Sequence, residues 1–191
     1  MDRIEFLVEE PSMAEVLKSL LPKILPAPWV LNENYFDRAH NGKSDLLRSI
    51  PNKLKGFGTF IDQLTGFVIV QDQDSNDCRL LKQELVALCS RHVAANERFL
   101  IRIACHELES WYIGDEKALQ AVFPRHRINP KAARFREPDA CINPKNELKK
   151  MFGAYSQIAV AREIGKHMEI EANRSESFQQ FVTGVRRFAQ S

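Results

Sequence analysis

No stretch of the sequence approaches the roughly 18 uninterrupted apolar residues that a membrane-spanning helix needs. Residues 1–5 lead directly into a charged strand, without the basic start and apolar core of a signal peptide. The chain also has no internal repeat and no low-complexity tract. Its 191 residues, 44% of them hydrophobic, are enough for one domain with a substantial core, and we expect it in the cytoplasm and off the membrane.

Cysteine is scarce, and glycine-rich motifs are missing. The four cysteines, Cys78, Cys89, Cys105 and Cys141, show no paired spacing, and disulfides are not expected in the cytoplasm. Cys105 directly precedes His106, and two adjacent residues of one strand do not ligate a metal together with good geometry, which argues against zinc. The sequence has no glycine-rich phosphate loop, which argues against ATP binding by this chain itself.

Residues 67–70 form an apolar run without polar alternation, and largely apolar runs occur at residues 4–8 and 99–105. Such runs are typical of strands buried on both faces of a parallel sheet. The sequence also predicts a helix at 77–92, a helix that Pro51 interrupts or restarts, and a short strand around 29–31. The sequence therefore predicts an α/β fold with a mostly parallel sheet flanked by helices. We divide it into an α/β core at 1–122, a basic proline-containing connection at 123–150 and a C-terminal helical extension at 151–191.

Acidic residues follow the apolar runs directly. They are Glu9 after the first run, Asp72 and Asp74 after the second, and Glu107 and Glu109 after the third. In extended backbone, residues two apart point the same way, so the aspartates are placed to share a hard divalent cation such as Mg²⁺ or Mn²⁺. Clustered carboxylates are costly without a cation, which favours a metal site. The alternative is that the aspartates only build a turn and cap the next helix.

The order of these motifs resembles the Toprim fold of topoisomerases, primases and nucleases of the overcoming-lysogenisation-defect class. More narrowly, the chain resembles a Toprim-like family, the domain of unknown function 4276. The motifs that carry this likeness are Val8-Glu9-Glu10-Pro11-Ser12, Glu107-Leu108-Glu109-Ser110-Trp111-Tyr112, Asn143-Pro144-Lys145 and Ser175-Glu176-Ser177-Phe178. The resemblance implies that Glu9 is the acid of the first motif and that Asp72 and Asp74 bind metal. It also implies that the segment with Glu107 and Glu109 lies near the same site.

Two positions depart from the Toprim pattern. Glu10 stands where glycine is common, and Met13 stands where nucleases of the lysogenisation-defect class tend to have a second acid. Either Glu10 or Glu109 is available to replace the missing ligand, and the sequence leaves open whether the site holds one metal or two.

The segment from 125 to 150 carries eight basic side chains against three acidic ones, whereas the whole chain has a net charge of only +2. A basic stretch after an acidic core is what a loop that contacts phosphates looks like, because Lys and Arg supply the salt-sensitive part of nucleic-acid binding. The alternative is a solvated connection. The candidate nucleic-acid-binding residues are Arg125, Arg127, Lys131, Arg134, Arg136 and Lys145.

These features predict a Mg²⁺- or Mn²⁺-dependent nuclease that cleaves phosphodiester bonds in DNA or RNA. In this prediction Asp72, Asp74, Glu9 and Glu107 are the metal ligands, and Glu9 and Glu109 are the catalytic residues, with Glu9 as ligand or general base. The resemblance also implies a setting in phage defence beside a separate ATPase. The alternative is a non-catalytic nucleic-acid-binding or regulatory subunit of an ATPase complex. The sequence does not determine the oligomeric state.

Overall fold

The computed structural model describes residues 1–58, 64–92 and 98–191. In these ranges the strands are β1 (Arg3–Val8), β2 (Tyr35–Ala39), β3 (Thr65–Asp72) and β4 (Phe99–Ala104). They form one parallel sheet in the order β2-β1-β3-β4. The described helices are α1 (Pro11–Ile24), α2 (Lys43–Gly58), α3 (Cys78–Ser90), α4 (Glu109–Ile113), α5 (Glu116–Val122), α6 (Ala133–Arg136), α7 (Pro144–Phe152), α8 (Gln157–His167) and α9 (Glu176–Phe188). The prediction of an α/β fold with a parallel sheet flanked by helices and a C-terminal helical segment is confirmed.

The sheet separates two apolar layers. Every residue of β3 is buried, as expected for a central parallel strand with helices on both faces. On one face, side chains of α2 and α3 pack against the sheet; on the other, α1, α4 and α9 do so. Within β1, Leu7 belongs to the first layer, and Phe6 and Val8 belong to the second, because successive strand residues point to opposite faces.

The C-terminal helices pack directly on the α/β core. Helix α8 lies close against α1, where a Cβ added at Gly165 would come within 3.0 Å of the Val16 carbonyl oxygen. Lys23 Nζ of α1 donates to the carbonyl oxygens of Gly165, Lys166 and Met168 at 2.9 to 3.0 Å, which satisfies the open carboxyl end of α8. The three-part division of the chain stays a prediction, since these contacts concern packing and not separable units.

The structure corrects two local predictions. The second strand lies at Tyr35–Ala39 and not around residues 29–31, because the backbone turns at Asn32, which has a φ of 63°. Helix α2 continues through Pro51, since Leu46, Ile50 and Leu54 on either side of the proline pack into the same buried layer. That burial outweighs the loss of one helical hydrogen bond.

The predicted helix at 77–92 is observed as α3, with the Asp77 side chain accepting hydrogen bonds from the backbone of Arg79 and Leu80. Among the described residues, none of the helices combines the length and the apolar character that crossing a membrane would require.

Candidate active site at the carboxyl edge of the sheet

The predicted site residues converge where the parallel strands end. Glu9 directly follows β1, Asp72 is the last residue of β3, and Glu109 opens α4 shortly after β4. The register pairs Val8 with Val70 and Asp72 with Ala104, so these ends lie at one edge of the sheet. A hydrogen bond connects the ends of β1 and β3, because the backbone N–H of Asp72 donates to Glu9 Oε2 at 3.1 Å.

The extended backbone on which the expected paired orientation of Asp72 and Asp74 depends is not observed. Strand β3 ends at Asp72, and Asp74 has a left-handed φ of 54°. Asp72 is 5% exposed, whereas the Asp74 side chain is 50% exposed and lies 3.4 Å from Lys43 Nζ. The left-handed turn is held by a 2.7 Å hydrogen bond from the Asp74 N–H to the carbonyl of His106, whose own φ is 57°. Left-handed backbone at non-glycine residues is a form of strain that clusters at functional sites.

Burial raises the pKa of three carboxyl groups at this edge. The pKa of Asp72 lies well above its ordinary range because of burial first and the nearby charges of Glu9 and Glu109 second. Burial is also the main reason why the pKa of Glu109 rises to about 7 and why that of Glu9 is raised. A cluster of carboxyl groups with raised pKa values at a strand edge is typical of sites that hold a proton or a cation.

Lys145, which the sequence predicts to bind nucleic acid, lies among these acids. Its Nζ atom is 3.9 Å from Glu107 Oε1 and 4.0 Å from Glu10 Oε1. Burial lowers the pKa of Lys145, but the charges of Glu109, Glu10 and Glu107 outweigh it, so the net pKa is raised. Glu107 also accepts a 3.0 Å hydrogen bond from the Lys145 backbone N–H with its Oε2 atom and so caps the first turn of α7. Both Glu107 oxygens are thus directed at Lys145.

Four buried oxygens of this region have no hydrogen-bond partner within the described chain: Asp72 Oδ1, Glu109 Oε2 and the hydroxyls of Tyr112 and Tyr155. Both tyrosines lie near Glu109. Burial is the main reason why the pKa of each is raised, and the charge of Glu109 is the second reason. The other Glu109 oxygen accepts a 3.3 Å hydrogen bond from Gln157 Nε2. Buried polar atoms normally have partners, so several orphaned ones together mark this place as a candidate binding site.

The donor set fits a hard divalent cation, with one qualification from the geometry. Within residues 1–58, 64–92 and 98–191, no group of three or more His, Cys, Asp or Glu side chains is arranged to hold a metal ion. Mg²⁺, however, is usually bound by one or two carboxylates and completes its octahedron with water and substrate phosphate oxygens. Asp72 and Glu109, each with an orphaned oxygen, suit this mode.

Of the six predicted nucleic-acid-binding residues, four are exposed: Arg125, Arg127, Lys131 and Arg136. Arg134 instead forms an ion pair with Glu147, and Lys145 lies in the acidic cluster. A groove of about 530 Å³ opens beside the cluster and is lined by Gln73, Asp74, Asn76, His106, Glu107 and Asn143. The basic side chains of residues 125–150 therefore fall into two groups: some are exposed to solvent, and others pair with carboxylates.

Sequence reasoning missed the surroundings of Glu109. Tyr112 and Lys145 belong to motifs that carried the family resemblance, so a signal existed for them. Tyr155 and Gln157 have no sequence signal. Tyr155 precedes α8 and Gln157 opens it, and both reach the neighbourhood of Glu109 only through the packing of the chain.

The remaining family motif, around Ser175 and Ser177, is structural. Asp139 accepts hydrogen bonds from the Ser175 hydroxyl at 2.7 Å and from the Ser177 backbone at 2.6 Å. The Ser177 hydroxyl also accepts from Trp111 Nε1 at 3.0 Å. This network fixes the start of α9 against the segment that carries Glu109, and Trp111 is fully buried between the rings of Phe178 and Phe181.

These observations define an α/β protein with buried carboxyl groups at the carboxyl edge of a parallel sheet. The chain belongs to the family described as Domain of unknown function (DUF4276), whose profile matches residues 8–186, and the predicted membership is confirmed. No curated protein matches the sequence. Among solved structures the chain is similar to the C-terminal region of the Burkholderia pseudomallei OLD protein, with a TM-score of 0.59 and 15% identity over 98% of each chain. At this identity the likeness shows the fold alone.

Proposed function

We propose that the protein is a divalent-metal-dependent enzyme that cleaves phosphodiester bonds of DNA or RNA. The observation that carries this proposal is the group of orphaned buried oxygens around Glu109, which includes one carboxylate oxygen of Asp72. Oxygen donors of this kind are the ligands that Mg²⁺ and Mn²⁺ prefer. The likeness of the fold to part of the OLD protein and the Toprim-like order of the acidic motifs support the same assignment.

In this proposal Asp72 and Glu109 are the principal metal ligands, and Glu9 and Asp74 border the site. A bound divalent cation would polarise the scissile phosphate and lower the pKa of a bound water. Glu9, which borders the site and whose pKa is raised by burial, is placed to accept a proton from water. Lys145 places a positive charge beside the carboxylates and limits their mutual repulsion.

The exposed basic residues would position the nucleic-acid backbone. Arg125 and Arg127 follow α5 directly and face solvent, where their charges are free to meet phosphates. The wider setting in our proposal is cytoplasmic phage defence beside a separate ATPase. The sequence resemblance supports this setting.

The decisive experiment is a cleavage assay on single- and double-stranded DNA and RNA with Mg²⁺, Mn²⁺ or EDTA. We expect cation-dependent cleavage by the wild type and a loss of at least about a hundredfold in Asp72→Asn and Glu109→Gln. Glu84→Gln is the matched control, because Glu84 is exposed on α3 and is not part of the carboxyl cluster. It should cleave like the wild type.

Cleavage that survives in Asp72→Asn and Glu109→Gln would contradict the proposed site. If the wild type cleaves none of the substrates with either cation, alone or with an ATPase encoded beside it, the enzymatic proposal is wrong. Binding without cleavage would then support the alternative of a non-catalytic nucleic-acid-binding subunit.

A further inference from the structure

A second polar cleft lies on the flank of the sheet, between β4 and α9. Its volume is about 350 Å³. Arg102 and Arg187 supply its charge, Gln180 and Thr183 supply polar groups, and Phe99 and Phe188 contribute apolar surface. Ser191 also lines the cleft, and among the described residues no Asp or Glu side chain does, so the two arginines supply the side-chain charge of the cleft.

Arg102 is held in a fixed position in this cleft. Its Nε atom donates to the carbonyl oxygen of Gln180 at 2.9 Å, and its Nη1 atom donates to that of Ile101 at 2.9 Å. The guanidinium passes α9 at Gly184, where an added Cβ would overlap with Nη2. Nη2 makes no hydrogen bond to any residue that the structure describes, so one donor of an oriented guanidinium stays available.

The two arginines also lack counter-charges. In the part of the chain that the structure describes, no carboxylate lies within 4 Å of either guanidinium, whereas the adjacent Arg186 pairs with Glu171 at 2.7 Å. Asp139 and Glu176 line the neighbouring cleft on the other side of Arg102, and neither forms an ion pair with it. Burial and then the charge of Arg187 lower the pKa of Arg102. An anion between the two arginines would relieve this repulsion.

We propose that this cleft binds a phosphate group. Guanidinium groups match the geometry and charge of phosphate oxygens, and Arg is the preferred residue for such recognition. The Thr183 hydroxyl is a further hydrogen-bond donor in the cleft, and the edges of the largely buried Phe99 and Phe188 form a small apolar wall. A phosphate group that fits this cleft comes either from a free phosphate compound or from a nucleic-acid chain. This binding function lies beyond the proposed cleavage chemistry.

The test uses the full chain in EDTA, so that its result does not depend on metal or on cleavage. Binding of inorganic phosphate, 5′-AMP and a single-stranded oligonucleotide is measured by calorimetry at constant ionic strength set with sodium chloride. We expect Arg187→Gln to weaken binding of the recognised probe at least about tenfold. Arg186→Gln is the matched control, since it removes the same charge from the next residue, and it should bind like the wild type.

A second variant separates position from net charge. Gly184→Ala keeps every charge but displaces the Arg102 guanidinium, so it should weaken binding of the same probe, with circular dichroism used to confirm that the variant is folded. Dependence on Arg187 for inorganic phosphate and 5′-AMP supports a site for free phosphate compounds, and dependence for the oligonucleotide alone supports a site for the nucleic-acid backbone. The proposal is overturned if no probe binds, or if Arg187→Gln and Arg186→Gln lose affinity equally.

Discussion

Lys145 Nζ lies 3.9 Å from Glu107 Oε1, which makes a residue of the basic segment the counter-charge of the acidic edge. Glu10 approaches the same ammonium group to 4.0 Å from the side of α1. Because Glu10 lies just before α1, Glu107 follows β4 and Lys145 itself lies on α7, this lysine links three parts of the chain at the site. It limits carboxylate repulsion when no other cation is present.

Replacement of Lys145 should therefore destabilise the protein in the absence of divalent cations. We expect Lys145→Met to lower the free energy of unfolding by on the order of 1–3 kcal/mol at pH 8, since it leaves the partly buried carboxylates unpaired. Urea unfolding in EDTA measures the change. Lys149→Met is the control, because Lys149 is exposed on the same helix. Equal stability of the two variants would show that Lys145 is not the counter-charge.

Divalent cations should stabilise the wild type. Mg²⁺ or Mn²⁺ at millimolar concentration should raise the melting temperature, because an ion that binds only the folded state stabilises it by mass action. Asp72→Asn should abolish this rise. Asp74→Asn should keep most of it, since Asp74 is half-exposed and faces Lys43. Differential scanning fluorimetry tests all three proteins, and a wild type without any cation-dependent shift would refute the metal site.

The stability of the metal-free protein should fall as the pH rises from about 4.5 to about 7. Glu109 has a folded-state pKa of about 7, against an ordinary value of 4.5, so the folded state holds its proton more strongly than the unfolded state does. The resulting stabilisation is fully present below pH 4.5 and is lost as the pH passes 7, by on the order of 1–3 kcal/mol.

Urea unfolding between pH 4 and pH 8 in EDTA measures this dependence. Glu109→Gln should flatten it in part, with Asp72, whose pKa is also raised, accounting for a remainder. The Mg²⁺-dependent shift in melting temperature should grow over the same pH range, because the cation competes with the proton. A pH dependence unchanged in Glu109→Gln would mean that this carboxyl is not buried as the structure has it.

Trp111 should be important for stability and not for chemistry. Its ring is fully buried beside Phe178 and Phe181, so Trp111→Ala should destabilise the fold by roughly 3–5 kcal/mol. Trp29→Ala provides the comparison, since Trp29 is only partly buried and should cost less. Chemical denaturation gives both values. At temperatures where Trp111→Ala is still folded, its cation-dependent stabilisation should persist; its loss would place Trp111 in the site itself.

The exposed arginines should control nucleic-acid affinity and its salt dependence. Arg125→Ala combined with Arg127→Ala should weaken binding of a single-stranded oligonucleotide and reduce the slope of log affinity against log salt, because fewer counterions are released. Arg134→Ala should have a smaller effect, since Arg134 is already paired with Glu147. Fluorescence anisotropy at several salt concentrations measures both. If the double variant binds like the wild type, the nucleic-acid surface lies elsewhere.

The sequence was sufficient to predict that Glu9, Asp72 and Glu109 meet. Apolar strands without alternation predict a parallel sheet, and parallel strands bring their carboxyl ends to one edge, so residues at those ends become neighbours whatever the details of packing. The order of the motifs likewise predicted the family. These conclusions depend on local pattern and topology, which a single sequence carries.

Only the tertiary structure decided how each side chain is used. Asp74 lies half-exposed at the border of the site because a left-handed turn follows β3, and the Asp74 N–H in this turn donates a hydrogen bond to the distant His106 carbonyl. Lys145 joins the acids because α7 packs beside Glu107, and Gln157 reaches Glu109 from the start of α8. Such contacts between residues far apart in sequence follow from the packing of whole elements, which has no local signature. The chain's pattern therefore determined where a site forms, and packing determined which charges balance it.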